Sequence, residues 1–326
     1  MKDIGLVGVS GSGKSTLFTA LTRTGAAGGR SNQAVVAVPD KRLAVLTELE
    51  RSRKPVAAQV RFVDVPGGTS SAQGIAALRE VDALALVVRA FGPGTEPAKE
   101  LANLQADLLL ADLAVADSAL ERATKRARGR QDEAEVAALQ KAHDALSAET
   151  PLRDAGLEDD ERDHLRSLAP LTLKPVVPVA NLEEGTETPP EMPEGTVPVW
   201  AAIEAETAEM DEAEARALLE EFGVRQPGLQ GVVAAGYRAL DLITFLTTGE
   251  DETRAWEVRR GAHAPEAAGV IHTDLQRGFI RAEVVSYDDL VASGGMDAAK
   301  AKGLVRVEGK DYEVREGDIL HVRFSV

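Results

Sequence analysis

The sequence predicts an α/β fold in three parts: a parallel-sheet domain at the start, a helical arm inserted into it, and a small β-rich module at the carboxyl end. Three observations predict it. The apolar run Ile4-Gly5-Leu6-Val7 leads into Gly8-Val9-Ser10-Gly11-Ser12-Gly13-Lys14-Ser15-Thr16 and then Leu17-Phe18-Thr19-Ala20-Leu21, the G-x-x-x-x-G-K-[ST] pattern between a strand and a helix. From Ala98 to His143, Leu101, Leu104, Leu108, Ala111 and Val115 recur at alternating helical spacings. From about Leu242, short apolar runs alternate with turn signals.

The first of these carries chemistry. Only a backbone without Cβ wraps closely round a phosphate with its N–H groups pointing inward, which is the reason for Gly11 and Gly13. Lys14 is placed to reach the β and γ phosphates, and the Ser15 hydroxyl to sit on Mg²⁺. The helix that starts here turns its unpaired N–H groups and positive dipole end toward the same anion. A plain glycine-rich turn explains the glycines but not the lysine and hydroxyl that follow them.

Composition bounds the rest. The chain has 326 residues, 44% of them hydrophobic and 28% charged, enough for two or three domains. It has no cysteine and five scattered histidines, so disulfides, thiolate metal sites and cysteine nucleophiles are excluded and a histidine-rich metal centre is not expected. No apolar run approaches membrane length and the first twenty residues lack signal-peptide character, so a cytoplasmic protein is expected. The formal net charge of -16 argues against binding nucleic acid with the whole surface, and DNA is not expected as a partner. Local basic contacts stay open.

In chain order, Gly25 to Gln33 reads as a flexible loop. P-loop switch proteins keep their first switch here; Ser31 is the hydroxyl near its middle, and a solvated linker is an equal reading. Val60-Arg61-Phe62-Val63-Asp64-Val65-Pro66-Gly67 reads as a strand ending in D-x-x-G. Asp64 at a parallel strand's carboxyl end can hold Mg²⁺ through a water, and Gly67 can offer its N–H to the γ-phosphate. Gly68 stands where many GTPases carry the glutamine that orients the attacking water. Glycine cannot do that, so hydrolysis is expected to be slow or arranged otherwise.

Ala83 to Arg89 reads as a strand buried on both faces, and Gly92-Pro93-Gly94 ends it. The helical stretch that follows folds back near Gly129 as a coiled-coil hairpin. Its tip carries Arg122, Lys125, Arg126, Arg128 and Arg130. These read either as a solvated face paired with Glu121, Asp132 and Glu133 or as a phosphate-backbone contact. Leu173 to Ala180 returns to strand character and ends at Asn181-Leu182-Glu183-Glu184, and Val197-Pro198-Val199-Trp200 ends at Ala201-Ala202-Ile203. A P-loop GTPase places N-K-x-D and its following loop there. With Leu182 for the lysine and Glu184 for the aspartate, guanine preference is not expected; an asparagine capping a turn is the other reading of Asn181.

At the carboxyl end, Val270-Ile271, Phe279-Ile280, Ala282 to Val285, Tyr312 to Val314 and Leu320 to Phe324 are expected as short strands. Arg254, Arg259, Arg260, Arg277 and Arg281 are expected to give the module a basic face, which taken alone reads as solvation before recognition.

These residues resemble a known family. Arg254-Ala255-Trp256, Ala264-Pro265-Glu266-Ala267-Ala268-Gly269, Ile271-His272-Thr273-Asp274, Gly278 to Ala282, Ser286 to Asp289 and Glu308 to Tyr312 are similar to the TGS module of the YchF/Obg-like ATPases. Leu171-Thr172-Leu173-Lys174-Pro175, Pro227-Gly228-Leu229 and Ala235-Gly236-Tyr237 match as well. The resemblance implies a P-loop NTPase G domain (1–95 and 166–237), an inserted α-helical coiled-coil arm (96–165) and a β-grasp-like TGS domain (238–326). It implies ATP, with GTP as the other candidate, Mg²⁺ as cofactor, and association with ribosomes or ribosomal RNA through the arm and the TGS domain. The nucleotide residues it implies are Gly11, Ser12, Gly13, Lys14, Ser15, Thr16, Asn181, Leu182, Glu184 and Ala202. Ser15 and Asp64 serve the metal, and Lys14 and Gly67 the reaction. The chain departs from the family near the γ-phosphate. Its first switch is short, Gly68 and then Thr69-Ser70-Ser71 stand where the family has an apolar residue after D-x-x-G, Phe91 to Pro97 has no histidine, and Gly11-Ser12 replaces Asn-Val. A slow Mg²⁺-dependent ATPase and a nucleotide-bound ribosome binder that hardly hydrolyses are the two readings. A P-loop kinase is disfavoured by the TGS-like end.

Overall fold

The computed structural model describes residues 1–24, 32–127, 129–224 and 227–325. In chain order its first elements are β1 (Lys2–Val7), α1 (Lys14–Thr24), β2 (Gln33–Ala37), α2 (Lys41–Leu49), β3 (Pro55–Val56), β4 (Gln59–Asp64), α3 (Ala72–Glu80) and β5 (Ala83–Ala90). The middle of the chain holds α4 (Pro97–Arg126), α5 (Arg130–Ser147), α6 (Asp159–Leu165), β6 (Val176–Leu182), β7 (Val197–Val199), α7 (Ala201–Thr207), α8 (Glu212–Glu221) and α9 (Gly228–Ala239). The last part holds β8 (Leu242–Thr248), β9 (Thr253–Arg259), α10 (Ala264–Ile271), α11 (Thr273–Arg277), β10 (Phe279–Ser286), α12 (Tyr287–Ser293), α13 (Met296–Ala301), β11 (Arg306–Glu308) and β12 (Asp318–Phe324).

One compact unit comprises Lys2–Val36 and Arg61–Gly236. Its sheet has the order β2-β4-β1-β5-β6-β7, and β1–β5, β5–β6 and β6–β7 pair in parallel. β5 is buried without a break from Ala83 to Val88, because helices cover both faces of a central parallel strand. Val7, Leu84, Leu86 and Val88 of the sheet pack with Leu101, Leu104 and Leu108 of α4. The arm is thus rooted on the sheet by its own first turns.

Farther out, α4 and α5 close on each other through Leu109, Ala116, Ala119 and Ala123 against Leu139, Ala142 and Leu146. Small residues dominate this seam, so the helices approach closely along it. Gly129 caps α5 at the expected hairpin tip. At the root, the Asp112 carboxylate is 3% exposed. It accepts from Arg79 Nη1 at 2.8 Å, Leu171 N at 3.0 Å, Thr172 N at 2.7 Å and Thr172 Oγ1 at 2.8 Å. Lys174 donates to the carbonyls of Arg79 and Val81, and burial lowers its pKa. The Leu-Thr-Leu-Lys-Pro stretch therefore serves as the socket of the arm.

The other unit comprises Met1, Ala37–Val60 and Tyr237–Val326. Its sheet has the order β11-β10-β12-β8-β9-β3. β10 is antiparallel to β11 and β12, β8 to β9, while β12–β8 and β3–β9 are parallel. Ile243, Phe245, Ala264, Ala267, Ala268, Ala282, Val284 and Leu320 form its core.

Three expectations are corrected here. Residues 37–60, expected inside the 1–95 segment, pack with the carboxyl-terminal unit. Pro55–Val56 pairs with Thr253–Arg254, Arg42 pairs with Glu316 at 2.6 Å, and the Met296 N–H donates to Glu50 Oε1 at 2.8 Å. Val270-Ile271 ends a helix, α10, because Ala-Pro-Glu-Ala-Ala-Gly opens one with proline in its first turn and a His263–Glu266 capping box. Tyr312 to Val314 contributes only an isolated bridge, His263 to Glu313. Among the described residues no helix is long and apolar enough to cross a membrane.

Candidate nucleotide site

The loop after β1 is shaped by its glycines. Gly11 and Gly13 both have φ of +85°, the left-handed region that residues with a Cβ rarely adopt. A Cβ on Gly13 would overlap the Asn181 carboxamide nitrogen. The first bond of α1 runs from Leu17 N to Gly13 O at 2.9 Å, so the amides of Lys14, Ser15 and Thr16 belong to the unpaired first turn and face the loop. Ser15 and Thr16 are exposed. Ser12 is fully buried with its Oγ unpartnered, an orphaned polar atom inside the cradle. Glycine turns, an open helix N-terminus and a spare hydroxyl fit a polyphosphate.

Asp64 ends β4 and reaches this cradle: the Lys14 ammonium pairs directly with its Oδ1. Three residues on, Gly67 has φ of +76° and Gly68 of +44°. Gly68 is buried, and a Cβ on Gly74 of α3 would overlap its carbonyl oxygen. Ser71 caps α3 by accepting from Gly74 N at 3.0 Å. Lys14 and Ser15 from one segment and Asp64 and Gly67 from a second thus come to one end of the parallel sheet, where open α/β sheets bind ligands.

The expected base-side residues divide. Asn181 is 5% exposed; it donates from Nδ2 to Ser12 O at 3.0 Å and accepts from Ala201 N at 3.1 Å. Its amide ties the phosphate loop to the start of α7. Leu182, expected to cover a purine face, is instead 4% exposed and packed among Ala180, Met192 and the α4-facing core. The alternation of β6 turns it inward. Glu184 is half-buried and Ala202 exposed on α7. Ser31 and Arg128 lie outside the described residues, as does the side chain of Arg130.

Several partners escaped the sequence. Phe91 lies 3.7 Å from where a Gly13 Cβ would stand, with the Arg89 guanidinium over its ring at 5.3 Å. Glu183, not Glu184, accepts from Gly92 N at 3.4 Å. Glu204 is 2% exposed and accepts from Trp200 N at 3.0 Å and Leu229 N at 2.8 Å, capping α7 and α9 together. Burial raises its pKa against these N–H groups. Proximity of Glu204 to the start of a helix was the available signal. A cavity of about 670 Å³ lined by Gly185, Thr188, Trp200 and Gly228 lies beyond β7, and no residue of the phosphate loop lines it.

A parallel sheet that gathers a G-x-x-x-x-G-K-S loop, a D-x-x-G strand end and a loop-tying asparagine defines a P-loop G domain. A model described as "50S ribosome-binding GTPase" matches residues 3–115. The YchF GTPase C-terminal domain model, described as "Protein of unknown function (DUF933)", matches residues 242–325. The chain belongs to the YchF family. It is 39% identical to the ribosome-binding ATPase YchF of Haemophilus influenzae and 37% identical to that of Bacillus subtilis, each over 99% of both chains. The structure of the Schizosaccharomyces pombe YchF GTPase is 30% identical, with a TM-score of 0.90 over 99% of this chain and 97% of that one.

Proposed function

We propose that this chain is a Mg²⁺-dependent ATP-binding protein that hydrolyses ATP slowly and associates with ribosomes or ribosomal RNA according to its nucleotide state. The Lys14–Asp64 ion pair at the mouth of the glycine cradle carries the nucleotide reading. An ammonium and a carboxylate held together there are the two charges that a phosphate and a metal would separate. Relatives named as ribosome-binding ATPases support the partner and the base. Ribosome association is itself a reason to expect a cytoplasmic protein.

In this reading the amides of residues 13–16 and the Lys14 ammonium hold the phosphates. The Gly67 N–H reads the terminal one. Ser15 and Asp64 would hold magnesium, which neutralises phosphate charge when bound. Preorganised donors supply most of phosphoryl-transfer catalysis, so slow turnover does not require a side chain at Gly68. Asn181 keeps the phosphate loop in register with α7, and Glu184 and Ala202 border the base. Arg122, Lys125, Arg126, Arg128 and Arg130 at the arm tip, with the TGS domain, meet ribosomal RNA.

A second reading is a nucleotide-held ribosome binder that hardly hydrolyses. Gly68, which has no side chain to orient water, favours it. Single-turnover ATP hydrolysis with Mg²⁺, with and without ribosomes, separates the two. The expected result is phosphate release that disappears in Lys14→Ala, with ATP competing at least as well as GTP. A protein that binds ATP and releases no phosphate establishes the second reading.

A further inference from the structure

We propose that the arm helix α4 positions the loop that reads the terminal phosphate: Asp107 holds Thr69, two residues beyond Gly67, so that loop geometry and arm placement form one coupled element. The proposal rests on the nucleotide reading above. Thr69 Oγ1 donates to Asp107 Oδ2 at 2.7 Å, a short bond to a charged acceptor. Thr69 lies in the single 3-10 turn Gly68–Ser70 that leads from D-x-x-G into α3.

The far end of the same segment is fastened to the same helix. Arg79, in the last turn of α3, donates to Asp112 Oδ1 at 2.8 Å and to the Ala111 carbonyl at 3.2 Å. Between these anchors the segment has little slack. Gly74 is pressed against the Gly68 carbonyl with no room for a Cβ, and Ser71 locks the first turn of α3. Residues 69–79 are therefore clamped at both ends onto α4, which runs on to the basic tip at Arg126. A displacement of Gly67 toward a phosphate pulls on Asp107, and a load on the arm tip pulls on Gly67. Coupling between sites is reciprocal by thermodynamic necessity.

The test is amide hydrogen exchange on the full chain with and without a non-hydrolysable ATP analogue and Mg²⁺. In the unmodified protein the analogue changes protection both in residues 65–71 and in α4 around residues 104–112. In Thr69→Val the loop response stays, while the α4 response falls about three- to tenfold, as expected for one partly exposed hydrogen bond. Thr69→Ser, which keeps the hydroxyl, restores it. An α4 response of full size in Thr69→Val overturns the proposal, as does a silent α4 in an unmodified protein whose loop responds. A chain that binds no analogue at all removes the nucleotide reading with it, and direct titration of a fluorescent analogue tells these two failures apart.

Discussion

Lys14 and Asp64, fifty positions apart in sequence, meet as a direct ion pair at the end of the parallel sheet. Each partner is half-buried and each is assigned to a different ligand group. The lysine must give up the carboxylate before it can hold a phosphate, and the carboxylate must give up the lysine before it can serve a metal. Nucleotide and metal therefore compete with the protein's own pair.

Asp64→Asn separates these effects. It keeps the size of the side chain and removes the charge that holds Lys14. Without Mg²⁺, the variant is expected to bind a fluorescent ATP analogue at least as tightly as the unmodified protein. With Mg²⁺ it is expected to lose most of the metal-dependent gain. Equal weakening in both conditions would show that Asp64 acts by shaping the loop rather than by charge.

Asn181→Ala tests the tie between the phosphate loop and α7. It leaves the buried Ser12 carbonyl and Ala201 N–H without partners, which costs about 1–3 kcal/mol per unsatisfied group. Urea unfolding should record this loss, and nucleotide affinity should fall for ATP and GTP alike. A selective loss of one nucleotide would instead make Asn181 a base-reading residue.

How far the sequence reached is visible in these residues. The cradle was legible because glycine, lysine and serine are needed there for backbone and charge reasons that no neighbour can replace. Leu182 was misjudged because the face that a strand residue presents depends on what covers the sheet. The boundary at residues 37–60 was hidden because its anchor is a two-residue strand whose partner, Thr253–Arg254, lies about two hundred positions away. Asp112 reads in sequence as one more polar position on an amphipathic helix. Only the docking of Leu171 and Thr172 makes it a buried acceptor.

Reversal of charge at Arg122, Lys125 and Arg126 tests the arm. In the structure Lys125 pairs with Glu121 and Arg126 with Glu135 at 2.5 Å, solvent-exposed pairs that water and salt screen and that add little to stability. They are cheap to exchange for phosphate. Co-sedimentation with ribosomes should weaken, and its salt dependence should flatten by about 0.7–0.9 in slope for each phosphate that the arm no longer neutralises. Unchanged binding would return these residues to a solvated face.

Glu204 gives a pH dependence whose sign is fixed. Burial raises its pKa in the folded chain, outweighing the N–H groups of Leu229, Trp200 and Gly228 that favour the carboxylate. Between the ordinary glutamate value of about 4.3 and the raised one, the folded state holds more protons than the unfolded state. Stability is then greatest below the ordinary value and falls as pH rises through the window. Glu204→Gln cannot titrate, so the stability difference between the two proteins should move in the variant's favour with rising pH. The movement amounts to about 1.4 kcal/mol for every pH unit the window spans. A difference that stays flat across about pH 4 to 8 would show that the three N–H groups offset burial.

Asp112 is a position at which a single change is expected to loosen the root of the arm. Its carboxylate is buried and takes hydrogen bonds from a guanidinium, two backbone amides and a hydroxyl. Removal with Asp112→Ala leaves Arg79 beside unpaired amides in the interior, and breaking a buried pair of this kind costs about 3–5 kcal/mol. Asp112→Asn retains one acceptor oxygen but sets an NH₂ against at least one of the donors, so its cost should be smaller. If the arm is held only by apolar packing of Leu101, Leu104 and Leu108, the stability of the two variants will lie within about 0.5 kcal/mol of the unmodified protein, the range of ordinary surface changes. If Asp112 anchors it, Asp112→Ala will unfold several kilocalories earlier, with Asp112→Asn between. Hydrogen exchange will then place the lost protection in Leu171, Thr172 and the adjoining turns of α4.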